Sequence, residues 1–231
     1  MEKIYVDIEE KKEYFKSIAE NTGWDPLIDD WLSDYNFTHV VNYLINQVND
    51  GRRFTPRLKD ILNGLILCPY KETKVLFIGQ DPYPQLDVSD GILFSCSRQQ
   101  KPEKSLEFIF KALYGDSEDK DYDLSRWSKQ GVIMLSTALT VEINSIGSHY
   151  SIWKPFMNML FSHINDNFEN IAVVLLGKKA EEWEIYFSNQ KIFKVTHPAS
   201  AAYKNGIWDH KDIFNQINLH LNNVEKNSII W

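Results

Sequence analysis

Residues 74–84 read KVLFIGQDPYP, an apolar run rich in β-branched residues that ends at Gly79 and leads through Gln80 and Asp81 into two prolines. Val75, Leu76, Phe77 and Ile78 show no polar alternation, so a strand buried on both faces is expected, as in a parallel sheet. Gly79 is expected to let the backbone turn free of a Cβ clash, and Pro82 and Pro84 to hold that turn rigid. Asp81 then stands at the carboxyl end of a parallel strand, where open α/β sheets build their sites. The segment by itself also fits an ordinary loop whose aspartate caps the next helix.

Outward from this strand, the segments 132–137, 171–177 and 191–196 have the same length and β-branched content. Helical patterns lie between them. Trp153, Phe156, Met157, Leu160, Phe161 and Ile164 recur at three and four and form one apolar face. The segments 104–114, 178–187 and 209–222 read the same way, with Asp209 a candidate N-cap. Toward the amino terminus, 8–21 and 37–49 read as helices separated by Gly23 and Pro26, and 115–125 reads as a surface excursion. Strands alternating with helices predict a three-layer α/β/α fold around a central, four-stranded, mostly parallel sheet.

A chain of 231 residues with 43% apolar content and seven tryptophans suits a single α/β domain spanning 1–231. The two cysteines have no metal-type spacing, no amino-terminal signal pattern is visible, and no run approaches the roughly 18 apolar residues of a membrane span. A reduced, intracellular setting is expected, the cytoplasm of a prokaryotic or viral host or else a nucleus. The net charge of −7 is uneven: residues 1–50 hold 11 Asp or Glu against 4 Lys, and the remainder balances at 21 of each sign. The acidic, mainly helical first 50 residues have no assigned role. They could receive a basic protein partner, although an ordinary solvated helical face is the simpler explanation, since charge asymmetry alone is a weak signal. Arg98, Lys101, Lys104, Lys178, Lys179, Lys204 and Lys211 lie near the motifs and could meet phosphates.

The GQDPY of residues 79–83 resembles the water-activating loop of family 1 uracil-DNA glycosylases, and further matches follow in that family's order. They are Gly91-Ile92-Leu93-Phe94-Ser95, Lys104-Ser105-Leu106, Trp127, the run from Gln130 to Val141, Ser148-His149, Leu176-Gly177 and Thr196-His197-Pro198-Ala199-Ser200. The resemblance covers about residues 54–231. It implies a monomeric DNA glycosylase that needs no cofactor or metal and removes uracil from single- or double-stranded DNA, leaving an abasic site.

Cleavage of an N-glycosidic bond gives the sugar oxocarbenium character and turns the departing base into an anion. The resemblance assigns the carboxylate that orients water and offsets the sugar's charge to Asp81, and the neutral donor to uracil O2 to His197. Backbone N–H groups at Gln80 and Asp81 would reach the same oxygen. A flipped base would stack on Phe94, with Tyr83 crowding its C5 position. Lys104, Ser105 and Ser200 fall in segments that touch DNA in the family. A metal hydrolase built on Asp81, His149, His197 and His210 lacks the HxxxH or HxH spacing such a site would need.

Three departures from the family pattern matter. Ser136 stands where the family has its base-reading asparagine, and a hydroxyl satisfies only part of what an amide does toward uracil. In the segment the family writes HPSPLS, Ala201 replaces the leucine that wedges into the duplex, and Ala199 and Ala202 replace phosphate-contacting serines. Tyr203 could substitute for the wedge. Pro84 replaces a common histidine. These changes keep two alternatives in play: a glycosylase of the same fold with altered base preference, and a catalytically weak DNA- or protein-binding module.

Overall fold

The computed structural model describes residues 4–115 and 121–231. Residues 116–120, within the expected 115–125 excursion, lie outside that description. Three helices come first: α1 (Ile8–Ala19), α2 (Asp25–Ser33) and α3 (Tyr35–Asn49). A two-residue strand β1 (Phe54–Thr55) and a short α4 (Asn63–Ile66) precede strand β2 (Val75–Gly79). Then follow α5 (Lys104–Tyr114), α6 (Ser125–Ser128), β3 (Val132–Ser136), β4 (Val141–Glu142) and α7 (Tyr150–Asn167). The chain closes with β5 (Ala172–Leu176), α8 (Lys178–Glu181), β6 (Lys191–Val195) and α9 (Ile213–Asn223).

β2, β3, β5 and β6 form one sheet in the order β3-β2-β5-β6, and every neighbouring pair is parallel. All four expected strands are present within one residue of their anticipated ends. Alternation along the strands divides the interior. Leu76, Ile78, Ile133, Leu135, Val173 and Leu175 belong to a core shared with α1, α2, α3 and α7. Val75, Phe77, Val132, Met134, Val174 and Leu176 belong to a second core shared with α5 and α9. Burying both faces is what a strand with no polar alternation requires. The edge strand β6 is the exception, with Lys191 and Lys194 exposed, and charge on an edge discourages pairing with another chain.

The first 50 residues are built into this fold. Trp24, Trp31 and Phe37 are almost fully buried in the same core as Trp153 and Phe156 of α7. The sequence reading missed α2 because it took Pro26 for a breaker. Pro26 instead occupies the first turn of α2, where its missing N–H costs nothing. Asp34 caps α3 by accepting from the Asn36 N–H.

Two other boundaries differ. Asp209 is not an N-cap: a turn from His210 to Ile213, with Lys211 and Asp212 at positive φ, follows it, and α9 begins at Ile213 with Asp212 at its N-cap. The helix expected over 178–187 divides into α8 and a 3-10 turn at Glu184–Tyr186. A small antiparallel pair, β1 with β4, forms a separate two-stranded sheet that ties residues 54–55 to Val141 and Glu142.

Candidate active site

From β2 the chain crosses first to β3 on one side and later to β5 on the other, so the order reverses beside β2. Such a reversal opens a crevice at the carboxyl ends of the strands. Loops after β2, β4 and β6 and the start of α5 enclose a cavity of about 370 Å³ there, lined by Gln80, Asp81, Tyr83, Phe94, Lys104, Ser105, Ile146 and His197 among others. The structure thus gathers seven of the ten expected site residues around one space. Ser136, Ser200 and Tyr203 lie apart from it.

Gly79 ends β2 for a reason other than the one expected. Its φ is not positive; a Cβ there would stand 2.3 Å from Leu93 Cδ1, so the glycine admits a close approach of the segment that carries Phe94. The next carbonyl, of Gln80, accepts from the Thr137 hydroxyl at 2.8 Å and from the Thr137 N–H at 3.1 Å. That pair of bonds ties the loop after β2 to the end of β3.

Asp81 is held by one oxygen. Its Oδ2 accepts from the Tyr150 hydroxyl at 2.7 Å and from the Gly147 N–H at 3.1 Å, while Oδ1 is buried with no partner. Burial raises the Asp81 pKa, and the bonds from Tyr150 and Gly147, the neighbouring Gln80 side chain and the charge of Lys179 pull against that rise. Neither Tyr150 nor Gly147 was singled out from sequence. They stand 69 and 66 residues from Asp81, and no local pattern links such positions.

His197 follows β6 and begins a 3-10 turn, Pro198–Tyr203. Gly177 (φ 80) makes room for it, since a Cβ there would stand 3.1 Å from the His197 Cβ. The His197 Nδ1 accepts from the Ala199 N–H at 3.2 Å. A neutral ring with an accepting Nδ1 carries its proton on Nε2. Burial lowers the His197 pKa to about 4, so the ring is neutral at pH 7 and donates through Nε2.

Phe94 is buried, stands edge-to-face with the His197 ring at 5.4 Å, and has φ 65. A left-handed phenylalanine is strained and persists only where its surroundings fix it. Tyr83 supplies part of that restraint by donating to the Phe94 carbonyl at 3.1 Å.

Ser136 ends β3 in register with Gly79. It lines a separate void of about 10 Å³ that shares Pro82 and Ile92 with the main cavity. A void of that size is about one water, the space a longer amide would fill.

On the outer rim the expected DNA contacts are uneven. Lys104 is exposed and pairs with Glu107 at 2.9 Å, and Ser105 is buried at the start of α5. The Ser200 hydroxyl is shut away from solvent without a partner, so a phosphate contact from it requires the turn to shift. Ala201 does not occupy a wedge position: it is fully buried in the core on the α9 side. Tyr203, 93% exposed, is the aromatic side chain that this turn presents to solvent.

Of the cations noted in the sequence, Arg98 is structural, pairing with Asp60 at 2.6 Å. Lys179 pairs with Glu182 and lies over the Tyr150 ring at 4.7 Å. His149 is wholly buried and bonded to Thr140, away from Asp81 and His197. Among the described residues, no three His, Cys, Asp or Glu side chains gather in a way that could hold a metal ion.

The uracil DNA glycosylase superfamily profile matches residues 66–222. The chain is 32% identical to the uracil-DNA glycosylase of Campylobacter jejuni over all of this chain and 99% of that one. It is 30% identical to that of Coxiella burnetii over 93% of this chain and 96% of the relative. Its fold is similar to the crystal structure of mimivirus uracil-DNA glycosylase, with a TM-score of 0.85 and 23% identity over the whole of this chain and 95% of the other. The profile match and the full-length relatives agree with the cavity and its loops, and the chain belongs to the uracil DNA glycosylase superfamily.

Proposed function

We propose that this protein is a uracil-DNA glycosylase of base excision repair, which hydrolyses the N-glycosidic bond of uracil in DNA and leaves an abasic site. One observation carries the residue roles: Asp81 and His197 line the same cavity, one with its carboxylate held by Tyr150 and Gly147 and the other locked as an Nε2–H donor. Asp81 orients a water and offsets the positive charge that develops on the sugar. His197, with the backbone N–H groups at Gln80 and Asp81, stabilises the anion forming on uracil O2. Each side chain is worth most when the bond is already stretched, which is what accelerates the step. Phe94 stacks on the flipped base and Tyr83 excludes a C5 methyl group. Lys104 and Ser105 face the backbone of single- or double-stranded DNA.

Ser136 and the void beside it favour one further reading, a glycosylase of the same fold whose base preference has shifted. The acidic first 50 residues are a proposed surface for a basic protein partner, and the protein is proposed to work inside the cell. Among the described residues, no helix is long and apolar enough to cross a membrane.

One assay separates these readings. Purified protein in EDTA is incubated with oligonucleotides containing U, T, C or a modified pyrimidine, and abasic sites are scored. Release of uracil ahead of every other base is expected. Preferential release of another base supports the shifted preference, and binding of DNA with no release of any base overturns the enzymatic reading.

A further inference from the structure

Asp81 is gripped asymmetrically, and the grip comes from an element outside the catalytic loop. Tyr150 is the first residue of α7, and its hydroxyl meets Asp81 Oδ2 at 2.7 Å. The start of that helix is anchored in the core. Trp153 Nε1 donates to the Thr140 hydroxyl at 2.7 Å, and that hydroxyl also bonds His149 Nδ1 at 2.8 Å. The His149 ring stands edge-to-face with Tyr43 at 5.4 Å. On the solvent side Lys179 lies over the Tyr150 ring at 4.7 Å. The tyrosine is thus fixed along its length, and its hydroxyl position follows from the fold.

We propose that Tyr150 is a positioning residue for base excision, which grips Asp81 by Oδ2 and so fixes the orientation of its carboxylate. The proposal rests on the reading of the chain as a uracil-excising enzyme. Its physical basis is the contrast between the two oxygens. Oδ2 has two donors, from Tyr150 and Gly147, and Oδ1 has none while being sealed from solvent. A carboxylate buried on one side and free to rotate would exchange its two oxygens and misplace the water, and misplacement by about 1 Å costs on the order of a hundredfold in rate. A donor on Oδ2 also favours the charged carboxylate against burial. Tyr150 suits this task because its own pKa is raised well above the ordinary value, by burial first and then by the bond to Asp81, so it stays a donor at every working pH. The other charged or titratable groups facing this space are Lys179, itself paired with Glu182, and Tyr83, His197, Glu103 and Lys104 on the cavity wall.

The test uses the full chain with phenylalanine at this position, Tyr150→Phe, which deletes one oxygen and keeps the ring under Lys179. On single-stranded uracil-containing oligonucleotide, kcat is expected to fall about ten- to a hundredfold, the worth of a hydrogen bond to a charged group, with KM changed less than about twofold. The acid limb of the kcat profile and the carbon-13 carboxyl resonance of Asp81 should both move to higher pH. Installing 3-fluorotyrosine at 150, a stronger donor, should move both the other way. If kcat, the acid limb and the Asp81 resonance all stay in place in Tyr150→Phe, Tyr150 only packs and the proposal fails. If the unaltered protein releases no uracil, the glycosylase reading fails, and the Asp81 titration still decides: a shift in Tyr150→Phe upholds the coupling and its absence removes it.

Discussion

Tyr83 and Phe94 are coupled across the cavity, the Tyr83 hydroxyl donating at 3.1 Å to the carbonyl of a phenylalanine held at φ 65. The side chain expected to exclude the C5 methyl group therefore also restrains the backbone of the one expected to stack on the base. Left-handed backbone at a non-glycine residue costs about 1–3 kcal/mol, which local contacts must offset. Tyr83→Ala should open the C5 side, making thymine release measurable while uracil release slows. Tyr83→Phe should keep thymine excluded and slow uracil alone. Abasic-site assays on T- and U-containing strands read both, and intact thymine in Tyr83→Ala would show that another group excludes it.

Asp81→Asn should separate activity from stability. The rate should drop by roughly a hundredfold or more, since an amide offers no charge to the sugar. The melting temperature at pH 7 should rise. The sign follows from the raised pKa of Asp81: the fold disfavours its charged form, so its stabilising contribution is present below the ordinary carboxylate range and lost as pH climbs through the folded value. Removing the charge recovers stability at neutral pH, and the gain should vanish in acid. Calorimetry at pH 7 and pH 4 checks it, and a lower melting temperature at pH 7 would contradict it.

For the histidines the sign is reversed. Burial lowers the pKa of both His149 and His197 from the ordinary 6.5 to about 4. Between those values the unfolded chain binds protons that the folded chain refuses, so stability should fall as pH drops from 6.5 to 4. His197→Gln should flatten that fall by about one proton, worth roughly 1.4 kcal/mol per pH unit over the window. Denaturant titrations at several pH values measure the slope, and an unchanged slope would mean that His197 titrates as it does in water.

The outer turn gives opposite expectations for two neighbours. Tyr203→Ala should slow cleavage of duplex more than of single strand, because an exposed aromatic can replace the stacking lost by a flipped base. Ala201→Leu should not restore a wedge. Ala201 is fully buried, so the larger side chain should destabilise the protein by about 1–3 kcal/mol through overpacking. Equal slowing of both substrates by Tyr203→Ala would place the tyrosine outside the flipping step.

Ser136→Asn is expected to raise uracil excision and sharpen rejection of cytosine. An amide reaching into the void beside Ser136 restores a paired donor and acceptor where the hydroxyl satisfies only part of that pattern, a difference of roughly 1–3 kcal/mol, about ten- to a hundredfold in relative rate. Competition assays on U- and C-containing strands measure the ratio. Slower uracil release from Ser136→Asn would mean that the pocket is organised around serine.

The sheet was legible in the chain itself. Uninterrupted apolar runs at 74–79, 132–137 and 171–177 need partners on both faces, and only a covered parallel sheet supplies them. Asp81 and His197 were legible as residues of one cavity because each follows a strand in a segment that resembles the family's, and strand ends converge on one edge. Pro26 and Asp209 were misread because the same residue types serve as breakers, caps or turn formers according to the backbone around them.

Tertiary structure alone decided how those residues are held. The Tyr150–Asp81 bond joins positions 69 apart, and the Gln80 carbonyl is fixed by Thr137 from another strand. The fate of Ala201 and Tyr203, one buried and one 93% exposed, is set by how a 3-10 turn packs on the core. The sequence determined which elements form and which chemical groups sit at their ends, because propensity and burial pattern are local properties. Distances, free lone pairs and exposure were decided by packing, which depends on contacts between segments with no periodic relation along the chain.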